Sequence, residues 1–359
     1  MSIRLWNQQI KNQFQQSMEK RSTIMLATWH FHIEVSSKCT LACPRCARQE
    51  VPDGLVNTEL DLEFFKRNFS PEFVQDNVEK FTFCGDDGDP IYAHDLIPIV
   101  QYLKSIKPVE IVIVTNGSHK KSAWWIQLGK LLDKNDSVHF SVDGYDNASN
   151  NQYRVNSDYD SIITGLQTLR SASSCQIVWA AIAFKFNEHK LDFMQDFAKK
   201  LGVDRFQLTR STKFGSVYPS YGTDDPLQPS DHFVSSTHRF ERVITNLTEK
   251  LETPISSTNI RLFQQTQSNN GVTPLCKIGN KGLYIDARGR LFPCCWVANR
   301  YSHNQEWQQQ AEKFNLHKHT LQNILADTFW KTELETYRWQ ECRTKCDSSV
   351  VDKKYATSW

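Results

Sequence analysis

No stretch of the 359-residue chain stays apolar for the ~20 residues a membrane-spanning helix needs, and the longest apolar run is near Ile177–Phe184. The first residues, Met1 to Ile24, are polar and Gln-rich and lack the apolar core of a secretory signal. Charge of either sign is not in excess: 42 Lys and Arg stand against 40 Asp and Glu, a net +2. That balance implies no polyanion-binding face, so nucleic acid is not an expected partner. These absences lead to the expectation of a cytoplasmic protein with no membrane partner. Aromatic residues, by contrast, make up 12% of the chain, enough for a large core. The length exceeds the usual ~100–200 residues per domain, so one large or two domains are expected.

With no signal segment, the ten cysteines point to metal ligands before disulfides. Cys39, Cys43 and Cys46 form one group, and Cys276, Cys294, Cys295, Cys342 and Cys346 another. Cys84 and Cys175 stand alone in apolar strands and read as small buried hydrophobes.

After a polar helical lead-in (1–27), β-rich runs alternate with amphipathic helical stretches. Strands are expected near 30–36, 79–84, 110–115, 138–142, 177–186 and 205–209. Helices are expected between them, with Leu60, Phe64 and Phe65 on one apolar face and Leu96, Ile99, Val100 and Leu103 on the next. The run Glu110–Thr115 is continuously apolar between its two ends, as a strand covered on both faces should be. Six β/α units in series predict a parallel sheet with helices outside, either open and doubly wound or a partial barrel. Chemistry in such folds sits at the carboxyl ends of the strands. Residues 213–270 break the pattern and read as a connector with one helix (His232–Leu251). Residues 271–359 read as a second, smaller unit.

The three clustered cysteines follow the first strand with the spacing C-x3-C-x2-C. A tetrahedral zinc or a cubane iron–sulfur cluster takes four ligands, and no fourth is near, so one metal position is left open. After the second strand comes Gly85-Asp86-Asp87-Gly88-Asp89-Pro90, after the third Thr115-Asn116-Gly117, and after the fourth Ser141-Val142-Asp143-Gly144. Asn187 and Arg210 follow the fifth and sixth. His30 and His32, in the first strand, read as packed or solvent-facing.

Taken together and in this order, over roughly residues 28–212, these strand ends resemble the radical S-adenosylmethionine (SAM) enzymes. The resemblance implies a partial (β/α)6 TIM-like barrel with a [4Fe–4S] cluster on Cys39, Cys43 and Cys46 and SAM on the fourth iron. Gly88-Asp89-Pro90 is similar to the family's Gly-Glu-Pro element that holds the methionine amino group, with Asp in place of Glu. Asn116, Ser141, Asp143, Asn187 and Arg210 fall where the family contacts SAM.

In the C-terminal unit, strand-like residues flank the turn Arg288-Gly289-Arg290, which reads as a β-hairpin ending at Cys294. Four thiolates, Cys276, Cys294, Cys342 and Cys346, could close a tetrahedral zinc or a [4Fe–4S] site, with Cys295 able to replace Cys294. The Gly289-x4-Cys294 element looks like the SPASM/twitch extension of radical SAM enzymes, which implies one auxiliary cluster. The implied activity is reductive cleavage of SAM to a 5′-deoxyadenosyl radical and hydrogen abstraction from a small molecule or peptide. A one-electron reductant such as flavodoxin or ferredoxin would be a partner. Methyl transfer and epimerisation remain open, as does, from another class, a zinc-stapled binding protein.

Overall fold

The computed structural model describes residues 29–50, 55–209, 224–230, 244–245, 281–301 and 311–330. The expected lead-in, Arg210, Cys276, Cys342, Cys346 and most of the connector lie outside the described residues.

Six parallel strands form as the alternation predicts: β1 (Trp29–Ile33), β2 (Val78–Phe83), β3 (Glu110–Thr115), β4 (Ser137–Ser141), β5 (Gln176–Ile182) and β6 (Arg205–Thr209). Between them run α1 (Leu62–Asn68), α2 (Pro71–Asn77), α3 (Leu96–Ile106), α4 (Ser122–Gly129), α5 (Asn147–Asn150) and α6 (Tyr159–Ala172), with α7 (Leu191–Lys200) after β5. Each parallel return needs a crossover, and the helices supply it while covering the outer face. Leu96, Ile99, Val100 and Leu103 of α3 are all buried, as their spacing requires. Phe31 of β1 meets Phe69 edge-on at 4.9 Å, and Phe69 meets Phe81 of β2 at 5.2 Å. Burying one such ring contributes on the order of 1.5–3 kcal/mol, so this aromatic layer fixes the first two strands against their helices.

Helix α2 was not expected from the sequence. Ser70 caps it by accepting from the Phe73 amide at 3.2 Å, and Pro71 opens its first turn. Both are start signals, but its seven residues are too few to show a clear period.

Two features differ from expectation at the sheet edges. Within the helix expected over 232–251, Ile244–Thr245 instead form a short strand, β7, antiparallel to β6. Two β-branched residues suit the open edge of β6 better than a helix. The C-terminal hairpin does form, as β8 (Lys281–Ile285) and β9 (Leu291–Phe292), with Gly289 in the left-handed region at φ 78°. Yet β8 also pairs in parallel with β1, placing Tyr284 opposite His32. The sheet therefore runs β7-β6-β5-β4-β3-β2-β1-β8-β9, and the hairpin is a continuation of the barrel wall. Helices α8 (Cys295–Tyr301) and α9 (Leu321–Ala326) follow. Trp330 is fully buried in the main core. Among the described residues, no helix is long and apolar enough to cross a membrane.

Alternation along β1 sends Phe31 and Ile33 into the helix-facing core and His30 and His32 to the lumen side. Burial pulls His32 down to about 4 and His139 of β4 down to about 3, the latter helped by Arg205 and Lys80. Both histidines are thus neutral in the fold and must gain a proton in the unfolded chain as pH falls below the usual 6.5. Their stabilisation is complete above that value and is lost on going down through the window from 6.5 towards 4. For His32 alone the loss is up to about 3 kcal/mol. Urea unfolding at pH 7 and pH 5 should show the drop, and His139→Gln should make it shallower.

Candidate functional site

The site is built where β1 to β5 end. Beyond Ile33 the chain stays extended and then turns through the loop that carries Cys39, Cys43 and Cys46. The loop is tied down on three sides. The Ala42 amide donates to the Val155 carbonyl at 3.0 Å, and Arg48 donates to the carbonyls of Ser37 and Asp87. Arg45 forms a buried ion pair with Asp225 at 2.5 Å. Such a pair is costly to break from one side, so it holds the loop in a single arrangement.

The three cysteines pack with Leu41, Tyr153, Phe184 and Leu227 in a small apolar cluster. Burial pushes the Cys39 thiol up to about 12, with the Asp89 carboxylate adding to it. Burial also raises Cys43, opposed by the adjacent Arg154 guanidinium. The Asn116 side-chain amide donates to Cys39 Sγ at 3.6 Å, and Cys46 Sγ donates to the Asp86 carbonyl at 3.8 Å. Among the described residues, no three His, Cys, Asp or Glu side chains converge as ligands of one ion. Three thiols gathered from one loop match the three-cysteine donor set that a cubane takes from the protein when its fourth iron is left to another ligand.

Around the cysteines the strand ends form a hydrogen-bonded frame. Asp89 Oδ1 accepts from Thr115 Oγ1 at 2.7 Å and the Ile91 amide at 3.1 Å. Its Oδ2 accepts from the Asn116 amide at 2.6 Å and the Asn116 side chain at 2.7 Å. Two donors on each oxygen use up a carboxylate's acceptor sites. Asp89 is therefore a positioning group that joins the ends of β2 and β3, and it caps the single 3-10 turn Pro90–Tyr92. Asp143 Oδ1 accepts from the Ile182 amide at 2.7 Å and its Oδ2 from Arg154 Nε at 2.6 Å. Asn187 donates to the carbonyls of Asp143 and Ile182 and accepts from the Phe184 amide, so it locks the ends of β4 and β5 together. Ser141 ends β4, half-buried.

Gly88 lies where only glycine fits. A Cβ there would stand 2.1 Å from the Ser36 carbonyl oxygen and 2.6 Å from Ser37 Cα. The close approach lets the Asp89 amide reach the Lys38 carbonyl at 2.9 Å, clamping this loop onto the cysteine loop.

Of the positions read from the sequence, Cys39, Cys43, Cys46, Gly88, Asp89, Pro90, Asn116, Asp143 and Asn187 are joined in this frame. Cys294 and Cys295 pack instead beside the hairpin cluster of Tyr284, Phe292, Val297, Ala298 and Ala311. Three residues of the site escaped the sequence reading. Arg154 bridges Cys43 and Asp143, and Tyr92 shares a hydrogen bond with Thr40 at 2.7 Å and donates to the Ser118 carbonyl. Glu34 accepts from the amides of Asp87 and Gly88 at 2.6 and 2.9 Å. A carboxylate placed directly between the first strand and the cysteine loop is the available signal for Glu34.

This partial barrel and its strand order are the fold that solved radical SAM enzymes share. Among solved structures, SuiB from Streptococcus suis bound to S-adenosylmethionine superposes with a TM-score of 0.56 at 14% identity, covering 91% of this chain and 72% of SuiB. The structure of anSMEcpe with bound AdoMet gives a TM-score of 0.53 at 12% identity, covering 88% of this chain and 82% of that one. SuiB bound to its precursor peptide SuiA gives 0.53 at 17% identity, covering 84% and 66%. No sequence-family profile and no curated protein matches the chain.

Proposed function

We propose that the chain holds a [4Fe–4S] cluster on Cys39, Cys43 and Cys46, binds SAM across the strand ends, and modifies a substrate at an unactivated C–H bond. The observation that carries this reading is the cysteine loop itself: three thiols at the end of β1, clamped against the Gly88–Asp89 loop and donated to by Asn116. When bound, such a cluster supplies the single electron for reductive cleavage of SAM, and the hydrogen-abstracting radical derives from the nucleoside. The chain's own groups set the conditions. The Asn116 amide and the Arg154 guanidinium lie against Cys39 and Cys43 and stabilise thiolate charge there. Leu41, Tyr153 and Phe184 pack around the same thiols and cover them in part, Cys43 most fully.

Gly88, Pro90, Ser141 and the main chain of 116–118 are the groups we assign to SAM, with Asp89, Asp143 and Asn187 holding them. Arg210 stays in the proposal as a further contact. Cys276, Cys342, Cys346 and either Cys294 or Cys295 are proposed to carry one auxiliary [4Fe–4S] cluster, making the net reaction an oxidation. The substrate is a peptide or a small molecule; SuiB and anSMEcpe have been captured with peptides, which favours the former. A flavodoxin or ferredoxin is the proposed reductant and the cytoplasm the proposed location.

Product mass tests the reaction type. Incubation of the reduced, reconstituted protein with SAM and candidate peptides should give 5′-deoxyadenosine and a product lighter by two hydrogens. A methyl gain or an unchanged mass would redirect the reading to methyl transfer or epimerisation, and absence of 5′-deoxyadenosine would overturn it.

A further inference from the structure

Just past the end of β1, the C-terminal hairpin reaches the Gly85–Gly88 loop through the side chains of Glu34 and Tyr284. Glu34 is fully buried, and its Oε1 takes both the Asp87 and Gly88 amides. Its Oε2 faces the Tyr284 hydroxyl of β8 at 3.4 Å, and its own amide donates to the Ile285 carbonyl at 2.8 Å. The Tyr284 ring is set from the other side by His32, edge-on at 4.9 Å, and by the packing of the hairpin. Gly85 completes the arrangement, since a Cβ there would stand 2.5 Å from Glu34 Oε1. The loop so held is the one that clamps the cysteine loop and carries Asp89.

We propose that Glu34 and Tyr284 form a latch through which the C-terminal hairpin sets the Gly85–Gly88 loop, making the hairpin part of the SAM site as well as the bearer of Cys294 and Cys295. The proposal rests on the reading of that loop as a SAM contact. Glu34 and Tyr284 are positioning residues: they act through the two loop amides. Burial, then the facing carboxylates of Asp87, Asp86 and Asp286, hold Glu34 well above the usual carboxylate range. Glutamine keeps an oxygen for the two amides, and its amide group then faces the tyrosine hydroxyl, whose oxygen can accept instead of its hydrogen being donated. Alanine leaves both amides without an acceptor.

The test uses the full-length protein and the variants Tyr284→Phe, Glu34→Gln, Glu34→Ala and the Tyr284→Phe/Glu34→Ala double. Two quantities are read: amide hydrogen exchange over 85–88 in the metal-free chain, and the SAM dissociation constant of the reconstituted protein. Tyr284→Phe should speed exchange and weaken SAM by roughly 5-fold each, the worth of one hydrogen bond, with iron content unchanged. Glu34→Gln should stay within about 2-fold of wild type, whereas Glu34→Ala should exceed about 10-fold. In the double variant the tyrosine change should add nothing further, because its path through Glu34 is already gone. Wild-type exchange and affinity in Tyr284→Phe, or additive effects in the double variant, would overturn the latch. Should wild type fail to bind SAM, the reading of the site falls, and exchange alone still decides the latch: faster over 85–88 in Tyr284→Phe supports it, unchanged refutes it.

Discussion

Asp89→Ala is expected to lower the unfolding free energy by about 4 kcal/mol and to abolish SAM cleavage. The carboxylate is buried and receives Thr115, Ile91 and Asn116 twice, so truncation leaves four donors without acceptors. Each orphaned donor costs about 1–3 kcal/mol in isolation, and entering water recovers part of the sum. The functional loss follows from Asn116. Without Asp89 its side chain loses the anchor that aims the amide at Cys39, and the Pro90–Tyr92 turn loses its cap. Asp89→Asn should not rescue, because its amide group would face donors with a donor. Urea unfolding of the metal-free chain measures the first effect, and 5′-deoxyadenosine release from the reconstituted protein the second. A variant within about 1 kcal/mol of wild type that still cleaves SAM would contradict the positioning role.

Gly88→Val should spare folding more than Asp89→Ala and still cut SAM cleavage at least about 100-fold, the scale of a misplacement near 1 Å. The obstacle is backbone, the Ser36 carbonyl oxygen and Ser37 Cα, and backbone at the end of β1 cannot move aside. The Gly85–Gly88 loop must lift, which breaks the Gly88 amide's bond to Glu34 and the Asp89 amide's bond to Lys38. Iron content should be retained, since all three cysteines remain. Gly202→Ala serves as the control. Unlike Gly88 it has a positive φ, 78°, but its nearest neighbour is the flexible Arg170 side chain, far from the cysteines in sequence, so cleavage should be unaffected.

Much of this architecture is legible in the chain because period and burial coincide. Glu110–Thr115 forms a strand with the bounds its apolar run predicts, and the α3 face of Leu96, Ile99, Val100 and Leu103 is buried as spaced. The cysteine loop is legible because few residue types can serve there, whereas the approach of Gly88 to the Ser36 and Ser37 backbone is visible only in the fold. The parallel pairing of β8 with β1 is not legible, since strand partners distant in sequence leave no local pattern. Asp89 shows the same limit at the site. Its presence after β2 was readable, but that both oxygens are spent on Thr115, Ile91 and Asn116 depends on β3 lying alongside. Arg154 was missed because its partners, Asp143 and Cys43, come from two other loops.

The central claim is a cluster on Cys39, Cys43 and Cys46, and iron with acid-labile sulfide per chain tests it most directly. Wild type and the variant with all three cysteines changed to alanine would be reconstituted anaerobically and compared. The account predicts that the variant loses about four irons and four sulfides per chain relative to wild type, and all 5′-deoxyadenosine formation with them. Equal iron and sulfide in the two proteins would contradict it.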